Sequence, residues 1–171
     1  MVVELMQAGW DQIATRAFNR KVLMVGVAAG GDTAVALASV ARIVIAYPAC
    51  GHNVIEDRDR SSSIQARAAD TGTGSSLIVR TTPWETSGYG YCFKSFDLAV
   101  IDPAAYPTPA LDMLISEIAA YARTIVVIEP AGANLFDTVV AGLECLDYEV
   151  SAQGSVITAT PKTGEPIVRA E

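Results

Sequence analysis

The stretch YEVSAQGSVITATP, residues 148–161, decides the fold. It holds two strand-like runs, YEVSAQG (148–154) and SVITATP (155–161), with almost nothing between them. A crossover between parallel strands needs about a dozen residues. These two runs therefore predict an antiparallel hairpin at the end of the chain.

Five compact apolar runs precede the hairpin and alternate with helix-like segments. They are KVLMVGV (21–27), RIVIAYP (42–48), SSLIVRTTP (75–83), FDLAVIDP (96–103) and RTIVVIEP (123–130). Such runs are typical of strands that are buried on both faces of a parallel sheet. With right-handed crossovers, the order predicts an α/β fold, a doubly wound, mostly parallel seven-stranded sheet with a C-terminal antiparallel hairpin.

Helical patterns fill the intervals between the strands. They cover residues 3–18, 32–41, 53–72, 110–122 and 134–146. Asp32 or Thr33 is the predicted N-cap of the second helix, and Asn134 that of the last. We expect one domain over residues 1–171, with the N-terminal helix at 3–18, the α/β core at 20–161 and a frayed tail at 162–171.

Composition excludes several classes of partner. The net charge is −7 and the pI about 4.6, so we expect no nucleic acid, whose phosphates attract basic surfaces. The start of the chain lacks the basic and apolar regions of a signal peptide, and no apolar run could span a bilayer, so we expect a cytoplasmic protein with no membrane contact. Only 18% of residues are charged. This favours either a second copy covering part of the surface, as in a homo-oligomer, or simply a large core.

Metal and nucleophile patterns are sparse. His52 is the only histidine, and with Cys50 it makes two potential ligands without further partners, so we expect no metal site. Neither a GxSxG nucleophile elbow nor a GxxxxGK[ST] phosphate loop is present.

The element order, five strands with helices and then a hairpin, resembles the class I S-adenosylmethionine-dependent methyltransferases over roughly residues 18–161. That family has a Rossmann-like seven-stranded sheet with one antiparallel strand inserted at its end. The resemblance implies that this chain is a divergent member, and that its ligand crevice lies at the carboxyl ends of the strands.

The run VLMVGVAAGGD, residues 22–32, looks like the family's first motif, an apolar strand followed by acid-x-Gly-x-Gly-x-Gly. Gly26 and Gly30 match the first and third glycines, Ala28 replaces the second, and Met24 stands where the acid would be. Small residues let the backbone approach a ligand closely. A purely structural strand-to-helix turn is the alternative.

The family's second feature is an acid that ends the second strand and binds the ribose hydroxyls. Here IVIAYP offers Tyr47, which can stack on adenine or donate one hydrogen bond but cannot accept two. Glu56 or Asp57, reaching back from the next segment, is the alternative contact. The resemblance implies S-adenosylmethionine as cofactor, bound by Gly26, Ala28, Gly30, Asp32 and Tyr47.

Asp102 and Pro103 resemble the fourth family motif, and Tyr106 loosely matches the aromatic of D-P-P-Y, one residue too far along. In the family the polar oxygens of this loop hold the target atom, so Asp102 is our candidate catalytic residue. A turn-capping aspartate is the alternative. Glu129 ends the next strand at the same edge, and we expect the two carboxylates to face one crevice, where proximity can produce a general base.

Two functions follow as hypotheses. One is methylation of a small molecule with a degenerate cofactor site. The other is a non-catalytic binding or oligomeric scaffold of the same fold. Trp84, Tyr89 and Tyr91, in the loop before the fourth strand, are candidates for lining a substrate pocket, but packing in the core or in a dimer interface is favoured.

Overall fold

The computed structural model describes residues 2–27, 31–48, 54–82, 84, 90–106, 108–130 and 132–162. Within these residues the strands are β1 (Lys21–Val27), β2 (Ile43–Pro48), β3 (Leu77–Val79), β4 (Phe96–Ile101), β5 (Ala122–Ile128), β6 (Tyr148–Gln153) and β7 (Val156–Pro161). The α-helices are α1 (Val2–Ala17), α2 (Asp32–Val40), α3 (Val54–Asp70), α4 (Thr108–Tyr121) and α5 (Phe136–Gly142).

The described strands form one seven-stranded sheet in the order β3-β2-β1-β4-β5-β7-β6. The pairs among β1 to β5 are parallel, whereas β7 runs antiparallel to both β5 and β6. The predicted sheet and its terminal hairpin are therefore confirmed. The chain reverses its direction of winding between β1 and β4, where open α/β sheets place their ligand crevice.

Helices cover both faces of the sheet, which explains why the central strands lack polar alternation. Leu23 and Val25 of β1 point into one apolar layer, and Val22 and Met24 into the other. All four side chains are buried. Burial of a side chain of this size stabilises the fold by about 1.5–3 kcal/mol.

The start of α2 differs from the prediction. Gly31 is the N-cap, in the left-handed conformation (φ 64°), and no side chain caps the helix. A Cβ on Gly31 would lie 2.6 Å from Ile64 of α3. Asp32 is instead the first helical residue and forms an exposed ion pair with Arg67. Capping by Asp32 or Thr33 is therefore wrong, because close packing against α3 and the positive φ require glycine before the helix.

The start of α5 also differs. Leu135 is the N-cap, and its N–H donates to the Glu129 carboxylate at 2.6 Å. Asn134 lies outside the helix and does not cap it. The acceptor comes from the end of β5, six residues upstream, a distance at which local cap patterns give no signal.

Lys94, just before β4, closes the carboxyl end of α4. Its Nζ donates to the carbonyls of Ala119 and Ala122, the latter at 2.8 Å, and to the hydroxyl of Tyr148. Burial and the nearby Arg123 guanidinium lower the pKa of Lys94 to about 8. The hydrogen bonds to the three acceptors do not offset these two effects, because the ammonium group is both shielded from water and close to another cation.

This pKa predicts a pH-dependent stability. Between about pH 8 and pH 10.5 the native state gives up the Lys94 proton while the unfolded chain keeps it, so stability rises with pH in this window and is flat below it. Lys94→Met keeps the Cβ and the length but has no titrating group. Urea unfolding at about pH 7.5 and pH 9.5 should show a gain for the wild type that the variant lacks. Equal pH responses of the two proteins would contradict the assignment.

A helix that crosses a bilayer must be long and apolar. None of the described helices is long and apolar enough to cross a membrane.

Candidate functional site

The carboxyl ends of the central strands meet at one edge of the sheet. Val25 of β1 pairs with Tyr47 of β2 and with Ile101 of β4, and Ile101 pairs with Val127 of β5. The residues that follow these pairs therefore lie side by side, as the strand order predicts. Among them are Gly26, Asp102 and Glu129, which we name the carboxyl-edge residues.

Gly26 is packed directly against the segment that follows β4. Its φ is 89°, and a Cβ would lie 2.2 Å from the carbonyl oxygen of Asp102 and 3.2 Å from the Tyr106 ring. The N–H of Asp102 also donates to the Val25 carbonyl at 2.9 Å. The protein's own backbone therefore explains why glycine is needed here, and a cofactor contact at Gly26 stays a prediction.

Asp102 holds the turn that follows β4. Its Oδ1 accepts the N–H of Ala104 at 3.1 Å, and Pro103 opens the short 3-10 helix Pro103–Ala105. No described residue donates a hydrogen bond to Oδ2. Asp102 thus has the turn-capping contact that we named as the alternative, and it keeps one oxygen for another partner.

Glu129 lies at the same edge, but the described contacts do not join it to Asp102. Its carboxylate binds the N–H of Leu135, and its own N–H donates to the Ser155 carbonyl at 2.8 Å. Each carboxylate thus holds the backbone of the segment that follows its strand. Within the described residues, no hydrogen bond makes them an acid–base pair.

The two positions where the family has acids are buried. Met24 is 1% exposed and lies in the apolar layer on one face of the sheet. Tyr47 is also 1% exposed, and its hydroxyl donates to the hydroxyl of Tyr91 at 2.9 Å. Burial, together with this hydrogen bond, raises the pKa of Tyr47, so the phenol stays neutral. Neither side chain presents exposed surface to a ligand.

Among comparisons with known proteins, no family model and no curated protein matches this chain. Solved structures do match. Magnesium protoporphyrin IX methyltransferase from Synechocystis PCC 6803 with bound SAH has a TM-score of 0.66 at 14% identity, covering 93% of this chain and 82% of that one. The ribosomal protein L11 methylase from Lactobacillus delbrueckii subsp. bulgaricus has a TM-score of 0.60 at 15% identity, covering 92% and 76%. This chain has the class I S-adenosylmethionine-dependent methyltransferase fold. An rRNA methylase from Streptococcus thermophilus, at a TM-score of 0.59 and 10% identity over 91% and 96% of the two chains, has the same architecture.

On this methyltransferase fold, an aromatic cluster fills the space beside β2. Trp84 stacks on Tyr91 with 2° between the ring planes, and it meets Tyr47 and Tyr121 edge-on at centroid distances of 5.2 and 5.3 Å. Trp84 is fully buried, so core packing is confirmed for it. Tyr91 is partly buried against the same core.

Two polar side chains that the sequence did not single out complete this cluster. The Trp84 indole donates to Glu117 of α4 at 3.1 Å, and Arg80 donates to the Tyr91 hydroxyl at 3.1 Å. A buried indole N–H needs an acceptor, which is the one signal that could have pointed to an acid on a neighbouring helix. Sequence alone does not say which helix that is.

The remaining predicted site residues divide into two groups. Asp32 is exposed at the start of α2, where Arg67 pairs with it. Glu56 is exposed on α3. The structure of Ala28, Gly30, Cys50, His52 and Tyr89, and the side chain of Asp57, lie outside the described residues. No group of three metal-ligating side chains occurs within the part of the chain that is described.

Proposed function

We propose that this protein is an S-adenosylmethionine-dependent methyltransferase that acts on a small molecule and has a degenerate cofactor site. The observation that carries this proposal is the switch point between β1 and β4, with Gly26 and Asp102 at its edge, in a fold shared with methyltransferases. Solved structures of magnesium protoporphyrin IX methyltransferase, a protein of this fold, contain SAM or SAH. The net charge of −7 favours a small substrate over a nucleic acid.

The described residues fit this cofactor only in part. The carboxyl edge offers backbone groups and the Oδ2 of Asp102, which accepts no hydrogen bond from any described residue. Met24 and Tyr47, however, supply no carboxylate for the ribose or the amino acid group. A hydrogen bond to a charged group contributes about 1.5–3 kcal/mol, so losing two weakens binding by about a hundredfold or more. The other proposed contacts are Ala28, Gly30 and Asp32.

When bound, S-adenosylmethionine supplies an activated methyl group, so the protein has mainly to position the acceptor. Asp102 is held in place by the N–H of Ala104 and by the backbone bond to Val25. Its Oδ2 can accept a hydrogen bond from the nucleophilic atom of the substrate and take up its proton. We assign Asp102 this role.

Isothermal calorimetry with S-adenosylmethionine and S-adenosylhomocysteine tests the proposal. We expect both ligands to bind with micromolar to millimolar affinity and to raise the unfolding temperature. The absence of both heat and thermal shift at about 1 mM ligand would rule out the methyltransferase function.

The role of Asp102 is tested by Asp102→Asn, which keeps the oxygen that caps the turn but removes the base. We expect methyl transfer to fall by about 10²-fold or more, with cofactor affinity within about twofold of wild type. Asp112→Asn is the matched control, because the Oδ1 of Asp112 also accepts a nearby backbone N–H, on α4. A loss of cofactor binding instead of turnover in Asp102→Asn would make Asp102 a binding residue and contradict the catalytic role.

The second candidate is a non-catalytic binding or oligomeric scaffold. The buried Met24 and Tyr47 favour it, because they remove the usual cofactor contacts. Met113 and Val140, exposed on the neighbouring helices α4 and α5, are candidate contacts with a second copy. Light scattering that shows a monomer would exclude the oligomer.

A further inference from the structure

The amino edge of the sheet, opposite the proposed methyl-transfer crevice, collects basic side chains. Six of the twelve Lys and Arg residues lie there: Arg16, Arg20, Lys21, Arg42, Lys94 and Arg123. Helices that alternate with parallel strands also bring their carboxyl ends to this edge, so cations there complement the helix dipoles. Some of these basic side chains are held by contacts with the described part of the protein, and others are not.

Several of them have a described partner. Lys94 binds carbonyls at the end of α4, and the Nζ of Lys21 lies 4.8 Å from the centroid of the Phe96 ring. Arg16 donates to the carbonyl of Gln12 in its own helix at 3.3 Å. These contacts account for three of the six bases.

Arg20 and Arg123 are different. Both are exposed, and neither side chain has a hydrogen bond or an ion pair with any described residue. They line the same recess of about 600 Å³, which lies between the end of α1 and the starts of β4 and β5. A volume of this size falls within the range of small-molecule sites.

The other walls of the recess complete a mixed surface. Arg16 adds a third guanidinium group, Thr124 adds a hydroxyl, and Phe18 presents a ring that is 70% exposed. Asp97 is the one acid among the described residues that line the recess, and its Oδ2 accepts the N–H of Lys21 at 2.9 Å. The described walls of the recess therefore carry an excess of positive charge in a chain whose net charge is −7.

Guanidinium groups bind phosphate through two parallel hydrogen bonds, and they do so better than ammonium groups. An exposed phenylalanine ring beside them offers a face on which a planar ring can stack. We propose that this amino-edge recess binds a small molecule that carries both phosphate and a planar ring, of the nucleoside phosphate class. Arg20 and Arg123 hold the phosphates, and Phe18 packs against the ring. Because β4 has six residues, the recess lies about 20 Å from the carboxyl edge and is a separate site.

Calorimetry with ADP, pyrophosphate and adenosine tests both parts of the site. We expect ADP to bind at about 0.02 M NaCl and to bind more weakly at about 0.2 M, since salt screens exposed charges. Pyrophosphate should bind less tightly than ADP, and adenosine least of all. Equal binding of ADP and pyrophosphate would overturn the role of Phe18. Equal binding of ADP and adenosine would overturn the phosphate site, and no ADP binding at about 1 mM would overturn the whole proposal.

The double variant Arg20→Gln/Arg123→Gln locates the site. We expect it to weaken ADP binding at least about tenfold, because two charged hydrogen-bond donors are lost. The matched control Arg42→Gln/Arg58→Gln also removes two positive charges, but from exposed positions that do not line the recess. An equal loss of ADP affinity in the control would show that the effect comes from the change in net charge, and it would contradict the proposal. Urea unfolding verifies that both variants fold.

S-adenosylhomocysteine separates this site from the proposed cofactor crevice, since it shares the adenosine group of ADP. We expect it not to displace ADP, and we expect its own binding to survive in the Arg20→Gln/Arg123→Gln variant. Displacement of ADP, with affinity unchanged in the variant, would place ADP in the crevice and overturn the proposal. Failure of S-adenosylhomocysteine to bind at all would count only against the methyltransferase function, which this inference does not require.

Discussion

Gly26→Ala is expected to abolish stable folding, with a loss of at least about 4 kcal/mol, a large share of the 5–15 kcal/mol that typically stabilises a domain. The new Cβ would lie 2.2 Å from the carbonyl oxygen of Asp102. Both groups belong to the backbone, so no rotamer change can separate them. Moving the Asp102 carbonyl away would also disrupt the hydrogen bond from the Asp102 N–H to the Val25 carbonyl. The φ of 89° at residue 26 adds strain of its own to an alanine. Urea unfolding of the soluble fraction measures the loss.

Gly72→Ala is the matched control, because Gly72 also has a positive φ (76°) but nothing lies within 4 Å of its Cβ position. It should cost only about 1–2 kcal/mol, the price of a left-handed residue. The difference between the two variants isolates the steric contact with Asp102. If Gly26→Ala costs no more than Gly72→Ala, the packing explanation is wrong, and close approach of a ligand becomes the better reason for glycine at this position.

Trp84→Ala is expected to destabilise the fold by about 3–5 kcal/mol. Trp84 is fully buried and contacts the rings of Tyr47, Tyr91 and Tyr121, which come from three separate segments. Its removal leaves a cavity that these rings cannot all close. Denaturant unfolding should show a lower midpoint, and the slope with denaturant should stay constant if the native state keeps its compactness.

Trp84→Phe separates ring packing from the indole hydrogen bond. Phenylalanine keeps an aromatic ring between Tyr47 and Tyr121 but cannot donate to Glu117. We expect a cost of about 1–2 kcal/mol, well below that of alanine. Equal costs for the two substitutions would show that the hydrogen bond to Glu117, rather than the packing, stabilises this cluster.

The strands and the terminal hairpin could be predicted because each of these steps rests on local chemistry. Continuous apolar runs identify strands buried on both faces, and the short link between β6 and β7 excludes a parallel crossover. The hairpin then distinguishes this sheet from others with the same alternating elements. The carboxyl edge could also be predicted, because parallel strands have their carboxyl ends on the same side of the sheet. Asp102 and Glu129, which end two of these strands, are therefore expected at one edge.

The contacts that decide what the edge can do were not predictable from local patterns. The Glu129 carboxylate caps α5, a helix after an intervening loop, and the Tyr47 phenol points into a cluster built by Trp84 and Tyr91. Each of these depends on segments far apart in the chain. Residue type and spacing along the chain do not show which distant group will contact a given side chain in the folded protein.

The sequence by itself determined the strands, the mostly parallel sheet with its terminal hairpin, and the edge where the parallel strands end, because hydrophobic periodicity and connection length act over a few residues. Only the tertiary structure decided why Gly26 is glycine, why Met24 and Tyr47 present no surface to a ligand, and which arginines at the opposite edge lack a described partner. These depend on close approaches between β1 and the segment after β4 and between β2 and the loop before β4, and on the recess that separates the end of α1 from the starts of β4 and β5. Such approaches are fixed only when the whole core packs at its native density.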